Sequence, residues 1–322
     1  VDKHSPYVRN ADFAFALKRI PMFAQNKGNV YINKNLMLKA LDISGCAAVW
    51  VGWGFLSEDS DFANMIEKSG RVLLGPSAAA MARLGDKITA KSIAEQAGAP
   101  VIKWSCGPVK TVEDARIKAE EIGYPVIVKA ANAGGGRGIR FALTPDDLEN
   151  QFISARDETI RITGNDIIYI EHYVRNGRHL EVQTAADYHN NVYAFGVRDC
   201  SVQRRNQKII EETPPVNITD NTMFEMQQAA CNLIKTAGYQ GVGTVEFIYC
   251  MDTHKFYFME VNTRLQVEHT ITEQLYSIDL VKIQIQIAFG EELKLDNVTP
   301  RGYAIELRLN AEDPDNNFAP AP

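Results

Sequence analysis

Val126-Ile127-Val128-Lys129-Ala130 runs through Ala131-Asn132 into Ala133-Gly134-Gly135-Gly136-Arg137-Gly138, and the chain returns as Ile139-Arg140-Phe141-Ala142. Two short apolar runs flank a glycine cluster, which predicts two strands joined by a loop. Glycines let backbone N–H groups close around phosphate oxygens, because no side chain stands in the way. The loop lacks the Gly-Lys-Ser/Thr ending and the following helix of a P-loop. A dinucleotide fingerprint also needs a helix at this point. A hairpin tip would use the same glycines without any ligand. Lys129 argues against that reading. A lysine in an apolar strand needs an anionic partner or a path to water, and a phosphate under the loop is such a partner.

Around this hairpin the pattern predicts a small α+β lobe. Thr144-Pro145-Asp146-Asp147 opens a helix with Thr as cap and Pro at the first position, and residues 166–171 read as a further strand. Upstream, residues 47–51 and 71–74 read as buried strands on either side of a helix over 60–68, a βαβ rhythm that implies a parallel sheet. Helices follow over 86–96 and from Thr111 to about Gly123, each stopped by a glycine before a proline. Residues 101–109 shift in composition and read as a linker. Downstream the chain is hairpin-rich: 180–186 and 192–197 flank His189-Asn190-Asn191, and a helix ends near Gly238.

The bulk properties exclude several classes. The chain has 322 residues, 45% hydrophobic and 23% charged, with a net charge of -6. That balance gives no global attraction for nucleic acid or anionic lipid. Cys46, Cys106, Cys200, Cys231 and Cys250 form no C-x-x-C pair and no zinc spacing. No apolar run approaches the ~20 residues of a membrane span. Val1-Asp2-Lys3-His4 shows no signal-peptide layout and no starting Met, so the sequence reads as a fragment.

A second hairpin carries acids. Thr244-Val245-Glu246-Phe247-Ile248-Tyr249-Cys250 is joined through residues 251–255 to Phe256-Tyr257-Phe258-Met259-Glu260-Val261-Asn262. A turn centred on Thr253 sets Glu246 directly opposite Glu260, and alternation puts Ile248, Phe258 and Asn262 on the same face. Facing carboxylates destabilise a sheet. A bound cation reverses that sign, and two carboxylates with an amide oxygen are hard ligands suited to Mg²⁺ shared with phosphates. Solvated surface acids are the plain alternative. The run that follows, residues 260–269, alternates charged and apolar residues. It reads equally as an edge strand or as a site in which Arg264 grips a planar oxyanion, Gln266 adds a donor and Glu268 acts as base. Residues 198–208 form another polar run, with four basic residues among eleven. A solvated loop is its usual meaning, yet its place beside Ile209-Ile210 suits a site.

Taken together these pieces resemble the biotin carboxylase family within the ATP-grasp fold. The similarity runs from about Ala47 to the C-terminus. It rests on Gly52-Trp53-Gly54-Phe55-Leu56-Ser57-Glu58, Leu84-Gly85-Asp86-Lys87, residues 124–130, the glycine loop, Arg178-His179-Leu180-Glu181-Val182-Gln183, and the runs 198–212 and 260–269. Trp50, Trp53 and Trp104 look like the eukaryotic multidomain acetyl-CoA carboxylase version, with pyruvate and urea carboxylases as the other candidates. The resemblance implies α/β and α+β lobes: a pre-ATP-grasp domain over 1–76, a helical linker over 77–100, a lid over 101–173 and a catalytic lobe over 174–322.

The resemblance also implies roles. Lys87, Lys129 and the loop glycines Gly134, Gly135, Gly136 and Gly138 hold ATP phosphates. Glu171 and Val174 meet adenine, with His179, Gln203 and Ile248 near the nucleotide. Glu246, Glu260 and Asn262 hold Mg²⁺ or Mn²⁺. Lys208, Arg264, Gln266 and Val267 bind bicarbonate, and Glu268, Arg264 and Lys208 are catalytic. Biotin arrives on a carrier domain and passes its carboxyl group to a carboxyltransferase, as in fatty acid biosynthesis. The parent enzyme is expected to be a homo-oligomer of the cytoplasm or a plastid. Asn206 stands where many members carry His, and Thr270 where Pro is usual. A first strand, a biotin-attachment motif and an arginine that faces biotin are expected outside these residues. Another ATP-grasp ligase or a silent nucleotide-binding module are the competing readings.

Overall fold

The computed structural model describes residues 4–25, 28–131, 138–204, 206–295 and 297–321. It begins with α1 (Pro6–Asn10) and α2 (Lys34–Ser44), the latter capped by the Asn33 side chain, which accepts from the Leu36 N–H. β1 (Ala48–Val49) and β2 (Val72–Leu73) pair in parallel across α3 (Ser60–Lys68), as the βαβ rhythm predicts, though both strands are shorter than the apolar runs. α4 (Ala78–Gly85) then leads into α5 (Lys87–Gln96). Asp86 caps α5 by accepting from the Thr89 N–H at 2.8 Å. That cap puts Lys87 at the first helical position and Lys91 one turn on, along the same side.

The next unit is built on the strand that carries Lys129. Its elements are α6 (Val112–Ile122), β3 (Val126–Ala130), β4 (Ile139–Ala142), α7 (Pro145–Thr163) and β5 (Ile168–His172). The sheet is antiparallel in the order β4-β3-β5. Thr144 and Asp147 form a capping box at the start of α7, with Pro145 at the first position. Val126, Val128, Ile168 and Ile170 pack with Leu148 and Phe152 in one closed core. Ile127 pairs with Glu171 and Lys129 with Tyr169, so these four share the opposite face. Residues 103–109 are no loose linker. Ser105 N–H donates to the Ile170 carbonyl and Val109 N–H to that of Ile168, both at 2.8 Å. At the near end of the glycine loop, Gly138 has φ 68°, and a Cβ there would lie 2.8 Å from the Ala130 Cβ. Gly134, Gly135 and Gly136 lie outside the described residues.

The largest sheet contains β6 (Gly177–Ala186), β7 (Val192–Arg204), β8 (Gln207–Thr213), β9 (Gly241–Cys250), β10 (Lys255–Asn262) and β11 (Ala304–Leu307), in the order β10-β9-β6-β7-β8-β11. α8 (Asp220–Thr236) packs on one face. There Leu180, Val182, Val197, Val245 and Phe247 meet Met226, Leu233 and Ile234. Each such buried side chain contributes about 1.5–3 kcal/mol. The chain closes with α9 (His269–Tyr276), α10 (Leu280–Ala288) and the short pair β12 (Glu312–Asp313) and β13 (Ala319–Pro320).

Two expectations need correction. Glu260 does pair with Glu246, but Phe258 does not share their face. Near the turn Lys255 pairs with Cys250 and Phe258 with Phe247; the register then shifts, leaving Met259 as an extra residue. This bulge changes the phase of the strand, so Phe258 lies in the apolar core. The run 260–269 is not an edge strand either. β10 ends at Asn262, and the chain turns into α9 while Gln266 and Glu268 are drawn inward and buried.

Candidate active site

Alternation on the large sheet puts its polar residues on one face, away from α8. Glu260 pairs with Glu246, Glu246 with Glu181, and Glu181 with Arg198. Three carboxylates thus stand side by side on neighbouring strands and end against a guanidinium. Glu181 and Arg198 are fully buried, and Glu246 is 5% exposed. Such a row is unstable without positive charge close by.

Lys208, on β8, supplies much of it. Its ammonium lies 2.6 Å from Glu181 Oε2, 3.0 Å from Glu246 Oε1 and 2.6 Å from Glu268 Oε1. Burial opposes the lysine's charge, but Glu181 and Glu246 outweigh it and hold Lys208 well above the usual lysine range. Lys208 and Arg198 in turn hold Glu181 at about 2, against its burial. His179 Nε2 lies 3.0 Å from Glu246 Oε2, while Gln203 Nε2 lies 2.9 Å from His179 Nδ1. Burial works against a charged His179, yet Glu246 raises it above its usual value.

Amides and arginines complete the cluster. Asn262 Nδ2 and Gln266 Nε2 donate to Glu246 Oε1 at 2.8 and 3.1 Å. Arg198 donates to Glu181, Gln183, Thr272, Thr244 and Gln266 at 2.6–3.2 Å. Arg308 donates from Nη2 to Glu268 Oε2 at 2.8 Å and meets Glu211 Oε1 through Nε at 2.7 Å. Burial pushes Glu211 up to about 7 although Arg308 opposes it. Arg264 turns to Glu58 Oε2 at 3.2 Å, so it pairs with the segment after Gly52-Trp53-Gly54 rather than with Glu268.

A second set of charges lies on α5 and the three-stranded sheet. Lys87 is 2.7 Å from Glu260 Oε2. Glu171 lies between Lys129, which donates to Oε1, and Lys91, 2.9 Å from Oε2. The two lysines hold Glu171 at about 2 in spite of complete burial. Val174 and Ile248 both border Gly177: a Cβ there would lie 3.5 Å from Val174 Cγ1 and 2.5 Å from Ile248 Cδ1.

The structure therefore brings Lys208, Gln266, Glu268, Glu246, Asn262, His179 and Gln203 into one cluster, with Glu260 beside it through the strand pairing. Lys87 joins it through Glu260. Lys129 and Glu171 form a neighbouring pair, and Val174 flanks Ile248. Val267 is half-exposed in the turn before α9. Sequence reading missed Glu181, Arg198, Lys91 and Arg308 as site residues. Leu180-Glu181-Val182 carried a signal: an acid alternating with apolar residues in a buried strand. Lys87 and Lys91 carried another, being one helical turn apart.

Carboxylates fit for a hard cation beside lysines fit for phosphates, on two antiparallel sheets, define the class: an ATP-grasp domain. Known proteins narrow it. Residues 1–81 match the family model "Biotin carboxylase, N-terminal domain", and residues 86–296 match "Carbamoyl-phosphate synthase L chain, ATP binding domain". Biotin carboxylase 1 of Bacillus subtilis is 42% identical over 323 residues, covering 100% of this chain and 71% of that protein. Among solved structures, the biotin carboxylase–β,γ-ATP complex from Campylobacter jejuni is 40% identical with TM-score 0.88, over 91% of this chain and 66% of that one. The biotin carboxylase domain of Hydrogenobacter thermophilus 2-oxoglutarate carboxylase, solved with MgADP, ADP and bicarbonate, is 38% identical with TM-score 0.87, over 92% of this chain and 66% of that one. The chain belongs to the biotin carboxylase family. It spans about two thirds of each solved relative, and the likeness reaches back to residue 1 rather than starting at Ala47.

Proposed function

We propose that this chain carries the site for ATP-dependent carboxylation of carrier-linked biotin, with bicarbonate as the carbon source and carboxyphosphate as the intermediate. One observation supports it above others. Lys208 and Glu268 are in contact, with Arg308 on the far carboxylate oxygen, while Lys87 links their cluster to the phosphate-binding lysines. In this reading Lys208, Arg264, Gln266 and the Val267 N–H bind bicarbonate. Glu268 takes its proton, and the freed oxygen attacks the γ-phosphorus as ADP leaves. Carboxyphosphate then breaks down, CO₂ is captured by the biotin N1′, and the released phosphate takes the biotin proton. Arg308 takes the role of the arginine facing biotin. The domain limits 1–76, 77–100, 101–173 and 174–322 belong to the same proposal, with 101–173 as the lid that excludes water.

Mg²⁺ fits the residues present. His179, Glu181 and Glu246 already bring ligand atoms within 4.8 Å of one another, and oxygen donors predominate. Glu246, Glu260 and Asn262 would hold the ion, which supplies charge neutralisation at the β- and γ-phosphates. Lys87 pairs with Glu260 and Lys208 with Glu246. The Trp50, Trp53 and Trp104 pattern supports acetyl-CoA carboxylase as the parent, with carrier and carboxyltransferase domains on the same or a separate chain. Glu268→Gln is expected to abolish bicarbonate-dependent ATP turnover in the presence of free biotin while leaving MgATP binding intact. Turnover unchanged in that variant, or dependent on ammonia or an amino acid in the parent chain, overturns the reading.

A further inference from the structure

Lys91 is the least expected charge in the molecule. It is 1% exposed, on a helix whose neighbouring residues Ala90, Ile93 and Ala94 are apolar and buried. Its ammonium lies 5.9 Å from the ring centroids of both Trp104 and Tyr169. Its ion-pair partner is Glu171 Oε2, while Lys129 occupies Oε1. Burial pulls Lys91 below the usual lysine range; Glu171 opposes that and Lys129 adds to it. A buried lysine is costly, and one carboxylate does not need two.

Resting on the function proposed above, we infer that Lys91 is a positioning residue that keeps Glu171 neutralised when Lys129 leaves it for a nucleotide phosphate. Lys129 is the more exposed of the two lysines, with 16% of its side chain accessible against 1% for Lys91. It also lies one residue before the end of β3, whereas Lys91 is flanked by Trp104 and Tyr169. Lys129 is therefore the one that moves. A single lysine would have to choose between a buried carboxylate and the incoming phosphate. Breaking a buried pair leaves an uncompensated charge, so that choice would weaken nucleotide binding. With Lys91 in place, Glu171 retains a cation throughout, and like-charge repulsion between the two ammonium groups favours the departure of Lys129.

Lys91→Met tests this, since methionine fills a comparable space among the aromatic rings. MgATP binding by the 322-residue chain, measured by calorimetry, should weaken at least tenfold. In the intact parent enzyme, KM for ATP should rise and KM for bicarbonate should stay within twofold. The double variant Lys91→Met/Glu171→Gln removes the carboxylate that would trap Lys129, and should bind MgATP as tightly as Glu171→Gln alone. A merely structural Lys91 would cost the same affinity in both backgrounds. Unchanged binding in Lys91→Met, or an equal loss when Lys91→Met is added to Glu171→Gln, overturns the inference alone. A wild-type chain that binds no MgATP overturns the proposed function and this inference with it.

Discussion

The two sheets share buried lysines and carboxylates in opposite ratios. On the three-stranded sheet one carboxylate, Glu171, is shared by two lysines, Lys91 and Lys129. On the six-stranded sheet one lysine, Lys208, is shared by three carboxylates, Glu181, Glu246 and Glu268. In the function proposed above, the lysines of the first would meet phosphates and the acids of the second a divalent ion. Lys87 on Glu260 is the joint between them. Buried ion pairs are poor sources of stability; here their imbalance is the useful property.

The sharpest way to break this contrast is Lys208→Met. It leaves three buried carboxylates without their shared cation and should lower unfolding free energy by about 4 kcal/mol, read as a fall in the urea midpoint. A loss under ~1 kcal/mol would mean the carboxylates do not depend on it. Next in size, Glu171→Gln probes the other cluster. Glu171 titrates near about 2 in the folded chain, below its ordinary value of 4.5. The depressed value stabilises the fold by about 3 kcal/mol above the ordinary range, and that contribution fades as pH falls toward 2. Wild type and variant should differ most at pH 7 and converge in acid; a constant gap contradicts the assignment.

Arg198→Lys sharpens the comparison at the closed end of the acid row. Lysine keeps the charge but cannot reproduce a planar fork that reaches five partners. A loss of about 2 kcal/mol is expected from chemical denaturation. The smallest effect belongs to Glu211→Gln. Burial raises Glu211 to about 7, so the folded chain binds a proton that the unfolded chain has released. Wild type therefore loses stability as pH rises from the ordinary Glu range through 7. The variant should gain on it by about 1 kcal/mol between pH 5 and 8, visible in paired thermal melts. A gap that narrows with rising pH would reverse the assigned sign.

Local signals made much of this legible in sequence. Caps at Asp86, Thr111 and Thr144 set helix starts, and glycine stops at Gly98 and Gly123 set their ends. The pairing of Glu246 with Glu260 is expected from a turn centred on Thr253, but it arises from the bulge at Met259. What stayed hidden depends on neighbours distant in the chain. Arg198 read as one charge in a solvated run because its partners come from four separate stretches of the chain. Residues 260–269 read equally as an edge strand or as a site because alternation does not reveal that Gln266 and Glu268 have buried partners waiting. Lys91 looked like an ordinary helix lysine, since nothing local says that Trp104, Tyr169 and Glu171 surround it.

Met259 carries a consequence out of proportion to its size. Phe256, Phe258, Glu260 and Asn262 follow one another at intervals of two, and an uninterrupted ribbon would give all four the same inward neighbourhood. The spare residue acts as a half-step in a two-beat rhythm: grease before it, acid after it. A strand that kept all its residues but lost the bulge would pair Glu260 with Val245 and drive the carboxylate into the oily layer beneath α8, whereas deleting Met259 would leave the acid on the polar face.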